Sequence, residues 1–318
     1  MSNSLIKALE GAGSVVLLGH LHPDGDCVGT TLGLYNYLKE NMPELSVDLY
    51  LDNPAERFSY LANFTEIRTE LAPERRYELC ITMDSSDTER LGIFLPYFET
   101  AERTFCIDHH RTNRNFAMEN VVNGDASSSS EVLYGLLEEE KISFSVAECL
   151  YTGIIHDTGV FKYSSTSQKT MEIAGKLMSR GLDCAKIIDD SFYRKTYVQN
   201  LVLGQALSVS RLLLDGRCIA AALSKRDLER HGADNNDLDG IIDQLRVTAG
   251  VECAVFTYEK NPQEFKVSMR SNSYVDVSSI ASCFGGGGHI RAAGCTLYGT
   301  AEEVLEKITE KIALQITC

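Results

Sequence analysis

Carboxylates and imidazoles gather at four places in the first half of this sequence. In HLHPDGDCVG (20–29), Pro23 and Gly25 fix a turn from which Asp24 and Asp26 can point into the same space, with His20 just ahead of them. ITMDSSD (81–87) sets Asp84 behind apolar residues, where a lone carboxylate is costly to bury unless it pairs or binds a cation. CIDHHRTN (106–113) places His109 and His110 after Asp108, and GIIHDTGVFKY (153–163) supplies Asp157. Each motif also has a plain reading. A D-G-D loop is often only a turn, Asp84 or Asp87 would serve as a helix N-cap, and a single histidine on a strand is more often a packed group than a ligand.

Position favours the chemical reading, because His20, Asp24, Asp26, Asp84, His109 and Asp157 all fall at the ends of expected strands or helices. Oxygen and nitrogen donors without cysteine suit a hard or borderline divalent ion, Mn²⁺ first and then Mg²⁺ or Co²⁺. Six donors exceed what one catalytic ion with open positions takes from protein, which favours two divalent metal ions about 3.5–4 Å apart. Such a pair needs a bridging carboxylate, and Asp84, on a central strand, is the natural choice.

The elements that must position these groups follow from the hydrophobic pattern. SVVLLGH (14–20), SVDLYLD (46–52), ELCITMD (78–84) and RTFCID (103–108) have the bulk and length of buried strands, and 29–40, 128–140, 146–156 and 167–180 are helix-like. This alternation predicts an α/β fold, with a mostly parallel N-terminal sheet covered by helices on both faces. Ligands gather outside the carboxyl ends of such strands, where three of the polar clusters lie. Residues 184–210 read as mainly helical. Beyond them, RCIAAALS, VECAVFTYEK and FKVSMRS read as strands, ADNNDLDGIIDQLRVTAG as a capped helix and TAEEVLEKITEKIALQI as a terminal helix. The expected organisation is a domain over 1–195, a helical linker over 196–210 and a smaller α/β domain over 211–318.

That second domain has one conspicuous stretch, CFGGGGHIRAAGC (283–295), between a helix-like segment (275–284) and a strand-like one. Without side chains, Gly286, Gly287 and Gly288 can bring backbone N–H groups close to an anion, and His289 can donate beside them. A flexible loop would look the same. Arg270 and Ser271 in VSMRSNS are polar candidates upstream, while Arg291 reads as a solvated loop cation.

The chain of 318 residues has 44% hydrophobic residues, enough to build two cores, and a formal net charge of −15 with no basic block. A long electrostatic track for duplex nucleic acid is therefore not expected, whereas a small anionic ligand is compatible where local cations offset the field. Ten scattered cysteines without a C-x-x-C pair read as buried thiols in a reducing cytoplasm. No stretch has the basic and apolar pattern of a signal peptide or the length of a membrane span, so a cytoplasmic, membrane-free protein is expected.

Together, HLHPDGDCVG, TMDSSD, IDHHRTN and IIHDTGVF resemble, in order, the DHH phosphoesterase superfamily, and FGGGGHIRAAG resembles its DHHA1 domain. The resemblance implies one metal held by His20, Asp24 and Asp84 and another by Asp26, Asp84, His109 and Asp157. It sets His110 beside the scissile phosphate, with Asp108 orienting a histidine. Arg270, Ser271, Gly286, Gly287, Gly288 and His289 would bind the substrate's far phosphate or terminal nucleotide. The combination and length are similar to compact bifunctional oligoribonucleases, implying hydrolysis of short single-stranded RNA (nanoRNA, pApA) and dephosphorylation of adenosine 3′,5′-bisphosphate (pAp) by a two-metal-activated water. Relatives often form homodimers. His22 and Cys27 depart from the family, which often has asparagine and alanine there. Manganese pyrophosphatases share the DHH half but end in a lysine- and arginine-rich signature absent from this sequence. Cyclic-dinucleotide phosphodiesterases share both halves, and a nucleotide sensor without turnover would carry degraded ligands, whereas these are intact.

Overall fold

In the computed structural model, which describes residues 4–316, the chain divides between Arg194 and Lys195 into two compact units. The first is built on β1 (Ser14–Leu18), β2 (Ser46–Tyr50), β3 (Leu79–Met83), β4 (Arg103–Asp108) and β5 (Glu119–Val122), all parallel, in the order β2-β1-β3-β4-β5. β3 is buried at every position and β1 at all but Ser14, as expected of strands covered on both faces.

Helices α1 (Ser4–Leu9), α2 (Gly25–Asn41), α3 (Leu95–Thr100), α4 (Ser129–Tyr134), α5 (Phe144–Asp157), α6 (Gln168–Met178) and α7 (Cys184–Ile188) complete this unit. One face of the sheet packs Val15, Leu17, Ile81 and Phe105 with residues of α2 and α5; the other packs Val16, Leu18, Tyr50 and Cys80 against Phe94 and Tyr97. α2 and α5 approach closely through glycine. A Cβ on Gly29 would lie 2.5 Å from the Cys149 carbonyl oxygen and 2.8 Å from Gly153 N. α2 is thus clamped between sheet and α5, and its first turn cannot drift from the strand ends.

The second unit contains α8 (Tyr197–Val209), β6 (Arg211–Leu213), β7 (Cys218–Leu223), α9 (Lys225–His231), α10 (Ile241–Arg246), β8 (Cys253–Asn261), β9 (Glu264–Ser271), α11 (Val277–Ser282), β10 (Gly287–His289), β11 (Ala292–Tyr298) and α12 (Ala301–Ile316). Its sheet runs β10-β11-β9-β8-β7-β6, antiparallel except for the β7–β8 pair. α11 and α12 cover one face, and α8, α9 and α10 cover part of the other. α8, within the stretch expected to be a linker, buries Val202 and Ala206 in this unit's core.

Several elements differ from the sequence reading. The helix expected over 128–140 stops at Tyr134 and is followed by Gly135 and a 3₁₀ turn at Glu139–Lys141. The helix expected over 233–250 breaks at Gly240, whose φ of 79° is left-handed. Residues 184–210 are interrupted by a π-helical turn, Asp189–Tyr193, ahead of α8. Only the end of the glycine run, Gly287 and Gly288, enters strand β10; Gly285, in a turn, and Gly286 lead into it. Gly286 and Gly288 are needed there, because a Cβ would meet the Gly294 carbonyl oxygen at 2.2 Å and the Ala292 carbonyl oxygen at 2.5 Å.

Cys27, Cys80, Cys106, Cys149, Cys218, Cys253 and Cys295 are buried free thiols; Cys184 is half-buried, and Cys283, against expectation, is exposed. Cys318 lies outside the described residues. Among the described residues no helix is long and apolar enough to cross a membrane.

Candidate metal centre

The turn after β1 is set by Asp24, which caps α2: its Oδ1 accepts from Asp26 N at 3.0 Å and Cys27 N at 3.1 Å. Asp26, in the first turn and fully buried, is held from outside. Its Oδ2 accepts from Ser129 N at 2.6 Å, and its Oδ1 from Ser130 N and the Thr30 hydroxyl, both at 3.0 Å. A carboxylate at two helix starts, α2 and α4, sits where unpaired amides favour negative charge.

Asp84 follows β3 with φ 54°, a left-handed conformation that aspartate tolerates better than most residues. Its N–H donates to the Ile107 carbonyl at 3.0 Å, which fixes it between β3 and β4. The side chain is 2% exposed and faces two ways: Oδ2 lies 3.4 Å from His20 Nε2, and Oδ1 lies 3.5 Å from His109 Nε2. Ser129 Oγ donates to Oδ1 at 2.8 Å. Neither aspartate is an N-cap: Thr88 takes that position ahead of the 3₁₀ helix Glu89–Phe94, and Asp87, one residue earlier, accepts from Arg90 N through Oδ1 at 3.2 Å.

Each histidine has one nitrogen engaged. His20 Nδ1 donates to the Leu21 carbonyl at 2.8 Å, so Nε2 turns towards Asp84 and, at 3.8 Å, Asp24. His109 Nε2 is 3.0 Å from Asp157 Oδ2. His110 Nδ1 donates to Asp108 Oδ1 at 2.7 Å, and Asp108 Oδ2 accepts from Asn113 at 2.7 Å. Nδ1 is thus committed, and the half-buried His110 ring is left with Nε2 for other contacts. Asp108 behaves as a group that orients a histidine.

Five of the six residues read from sequence fall into close donor groups, and the exposed Asp24 approaches them through His20 at 3.8 Å. Donor atoms of Asp26, His109 and Asp157 lie within 4.8 Å of one another, as do those of Asp84, His109 and His110, and those of His20, Cys27 and Asp84. Cys27 was not expected in this company; its thiol accepts from His20 N at 3.3 Å.

The electrostatics are those of crowded anions. Burial, with Asp84 and Asp157 adding repulsion, pushes the Asp26 carboxyl well above the usual range. Burial, opposed by a hydrogen bond from His109 and reinforced by Asp84, pushes Asp157 up to about 6. Burial acts to lower His109, yet Asp157, Asp26 and Asp84 raise it to about 10. Buried carboxylates of this density are relieved by protonation, pairing or cations, and the oxygen and imidazole donors fit hard or borderline divalent ions.

In the second unit, His289 pairs in register with Ala292 and Ala292 with Arg270, which places His289 and Arg270 on one face of the β10-β11-β9 ladder. Residues directly opposite across a ladder share a face. Ser271 points elsewhere: it is buried, and its hydroxyl donates to the Val275 carbonyl at 2.6 Å. Arg291 is a loop brace, with Nη1 donating to the Val275 carbonyl at 3.0 Å and Nη2 to that of Ser273.

Two family models cover most of the chain: the DHH family N-terminal domain over residues 14–154 and the DHHA1 domain over 215–317. The chain belongs to the DHH/DHHA1 phosphoesterase superfamily. Like it is the bifunctional oligoribonuclease and PAP phosphatase NrnA of Thermus thermophilus, 28% identical over 98% of this chain and 93% of that protein. The NrnA of Bacillus subtilis is 27% identical over 95% of each. Among solved structures, an exopolyphosphatase-related protein from Bacteroides fragilis superposes with a TM-score of 0.87 at 24% identity, covering 97% of this chain and 94% of that one, a likeness of fold. The DHH motif gives Asp108, His109 and His110 their places at the end of β4, while the DHHA1 domain carries the glycine-rich strand.

Sequence reasoning missed the serines. Ser129 and Ser130, in DASSSSEV, supply the backbone amides to Asp26 and a hydroxyl to Asp84. The signal available was a serine run ahead of an apolar helix, which reads as a simple N-cap, and Ser128 does cap α4 through Glu131 N at 3.0 Å.

Proposed function

We propose that this DHH protein is a cytoplasmic metal-dependent phosphoesterase that hydrolyses very short RNA, pApA among them, and removes the 3′-phosphate of adenosine 3′,5′-bisphosphate. The observation that carries the reading is Asp84, whose two oxygens face His20 on one side and His109 on the other, as a bridge between two cations requires. The proposed ligand sets are His20, Asp24 and Asp84, and Asp26, Asp84, His109 and Asp157. The relatives named as oligoribonuclease and PAP phosphatase, matched along nearly their whole length, support the substrate class.

Two divalent ions, once bound, supply the positive charge that acidifies water and neutralises phosphoryl oxygens. The protein's own part is orientation and proton handling. Asp108 holds His110 by Nδ1 and raises its pKa, so that Nε2–H can donate to a phosphate oxygen or leaving group. Ser129 fixes Asp84, and the amides of Ser129 and Ser130 fix Asp26. Arg270, with His289 on the same sheet face, would hold a part of the substrate, and Gly286 and Gly288, unlike Gly287, let the chain there lie close to its neighbour. Ser271 would act by shaping the loop that follows Arg270.

Purified protein with Mn²⁺ should be incubated in parallel with pApA, pAp, cyclic di-AMP and pyrophosphate. Release of AMP from pApA and of phosphate from pAp is expected. Turnover of pyrophosphate alone would overturn the assignment.

A further inference from the structure

One histidine beside the centre has no part in the chemistry above. His156 is the penultimate residue of α5, immediately before Asp157, and its ring packs against the turn that carries Asp24 and Asp26: a Cβ on Gly25 would be 2.1 Å from His156 Cγ. Phe58 and Phe192 enclose the ring edge-on, with centroids 5.1 and 5.3 Å away. His156 Nε2 is 3.1 Å from Ser191 Oγ, and the Ser191 hydroxyl donates to the Ile187 carbonyl at 2.7 Å. Ser191 therefore accepts and His156 donates, which fixes both ring and tautomer.

Ser191 and Phe192 belong to the π-helical turn Asp189–Tyr193, which ends beside Arg194, the last residue of the first unit. Turns of this kind are rare and recur at functional sites. We infer that His156 is a positioning residue that couples cation binding at the Asp24–Asp26 turn to the π-helical turn leading out of the first unit. The coupling is steric. The ring touches the ligand turn on one side, is continuous with the ligand Asp157 through the backbone, and is wedged against Phe192 and bonded to Ser191 on the other. A shift of Gly25 cannot be absorbed by empty space, because the ring has aromatic neighbours where it would move. Settling of Asp24, Asp26 and Asp157 around cations then tightens the turn at 189–193, and loosening that turn slackens the ligands.

The inference rests on the proposed cation site, and the test separates the two. Hydrogen exchange of the full-length protein, read by mass spectrometry with and without Mn²⁺, should show slower exchange on Mn²⁺ addition both around 24–28 and across 189–194. In His156→Ala and Ser191→Ala the protection at 189–194 should vanish, and Mn²⁺ affinity measured by calorimetry should fall about tenfold, the lower end for groups that orient ligands. His156→Gln, which keeps a side-chain N–H for Ser191, should recover part of both. A merely structural histidine would lower the melting temperature and leave the Mn²⁺-dependent protection intact. Absence of Mn²⁺ binding in the wild type would remove the cation site itself. Wild-type binding with protection at 24–28 but not at 189–194, or protection surviving in Ser191→Ala, would overturn the coupling alone; Ser191→Ala decides should His156→Ala fail to fold.

Discussion

At the scale of single residues, the centre separates groups that would touch cations from groups that aim them. Asp84→Ala should abolish Mn²⁺ uptake and hydrolysis while the second unit stays folded. Ser129→Ala removes the hydroxyl that donates to Asp84 Oδ1 and should leave binding measurable but about 10–100-fold weaker, the usual cost of losing a group that orients a ligand. Calorimetric titration with Mn²⁺ of both variants checks the contrast; equal affinities of Ser129→Ala and wild type would refute the role of the hydroxyl. The six proposed donors could be picked out in the sequence, because carboxylates and imidazoles placed after apolar runs announce themselves. The serines were not, since two of their contributions to Asp26 are main-chain amides, which every residue except proline carries. Ser271 illustrates the converse: its position beside Arg270 suggested a shared target, but successive strand residues point to opposite faces.

At the scale of elements, the position of Asp26 depends on how closely α2, α4 and α5 can approach. A Cβ on Gly153 of α5 would lie 2.0 Å from Ser130 Oγ and 2.6 Å from Asp26 Oδ1. Gly153→Ala should therefore destabilise the first unit by about 1–3 kcal/mol, as overpacking of a tight core does, and should weaken Mn²⁺ binding as well. A methyl group added at Gly175 of α6 would meet nothing within 4 Å, and Gly175→Ala should stabilise by about 0.5–1 kcal/mol through lost backbone freedom in the unfolded chain. Urea unfolding midpoints of the two alanine variants should move in opposite directions. The four long apolar strands and the main helices could be read from pattern, because burial on both faces leaves continuous apolar runs. β5 could not: ENVV is four residues long and half-exposed at the sheet edge, too short to outweigh its polar flanks. The helix expected across 233–250 failed at Gly240, where a left-handed φ ends a periodic pattern that continues in the sequence.

At the scale of the whole molecule, stability and cation binding are linked through protons. Asp157 has an ordinary value of 3.8 and is pushed up to about 6, chiefly by burial. A raised carboxyl contributes stability in full below about 3.8 and loses it as pH rises through about 6. His109, raised from 6.5 to about 10 by its carboxylate neighbours against the effect of burial, has the same sign at higher pH. The metal-free protein should lose this stability between about pH 4 and 10, and the rise in melting temperature caused by Mn²⁺ should grow over the same range, since cations displace those protons. Differential scanning calorimetry with and without chelator reads the difference; an increment that shrinks with rising pH would contradict the electrostatics of the centre. The sequence pattern changes beyond residue 210, whereas the compact units divide between Arg194 and Lys195 and α8 packs with the second sheet, which its apolar spacing alone could not assign. The covered sulfurs have a practical consequence. Cys27, Cys80, Cys106 and Cys149 belong to the first unit and Cys218, Cys253 and Cys295 to the second, while Cys283 faces solvent. Alkylation will mark Cys283 at once and reach these seven buried thiols only as each lobe opens, so isotope-coded reagents can time the opening of either half by its own set of native tags.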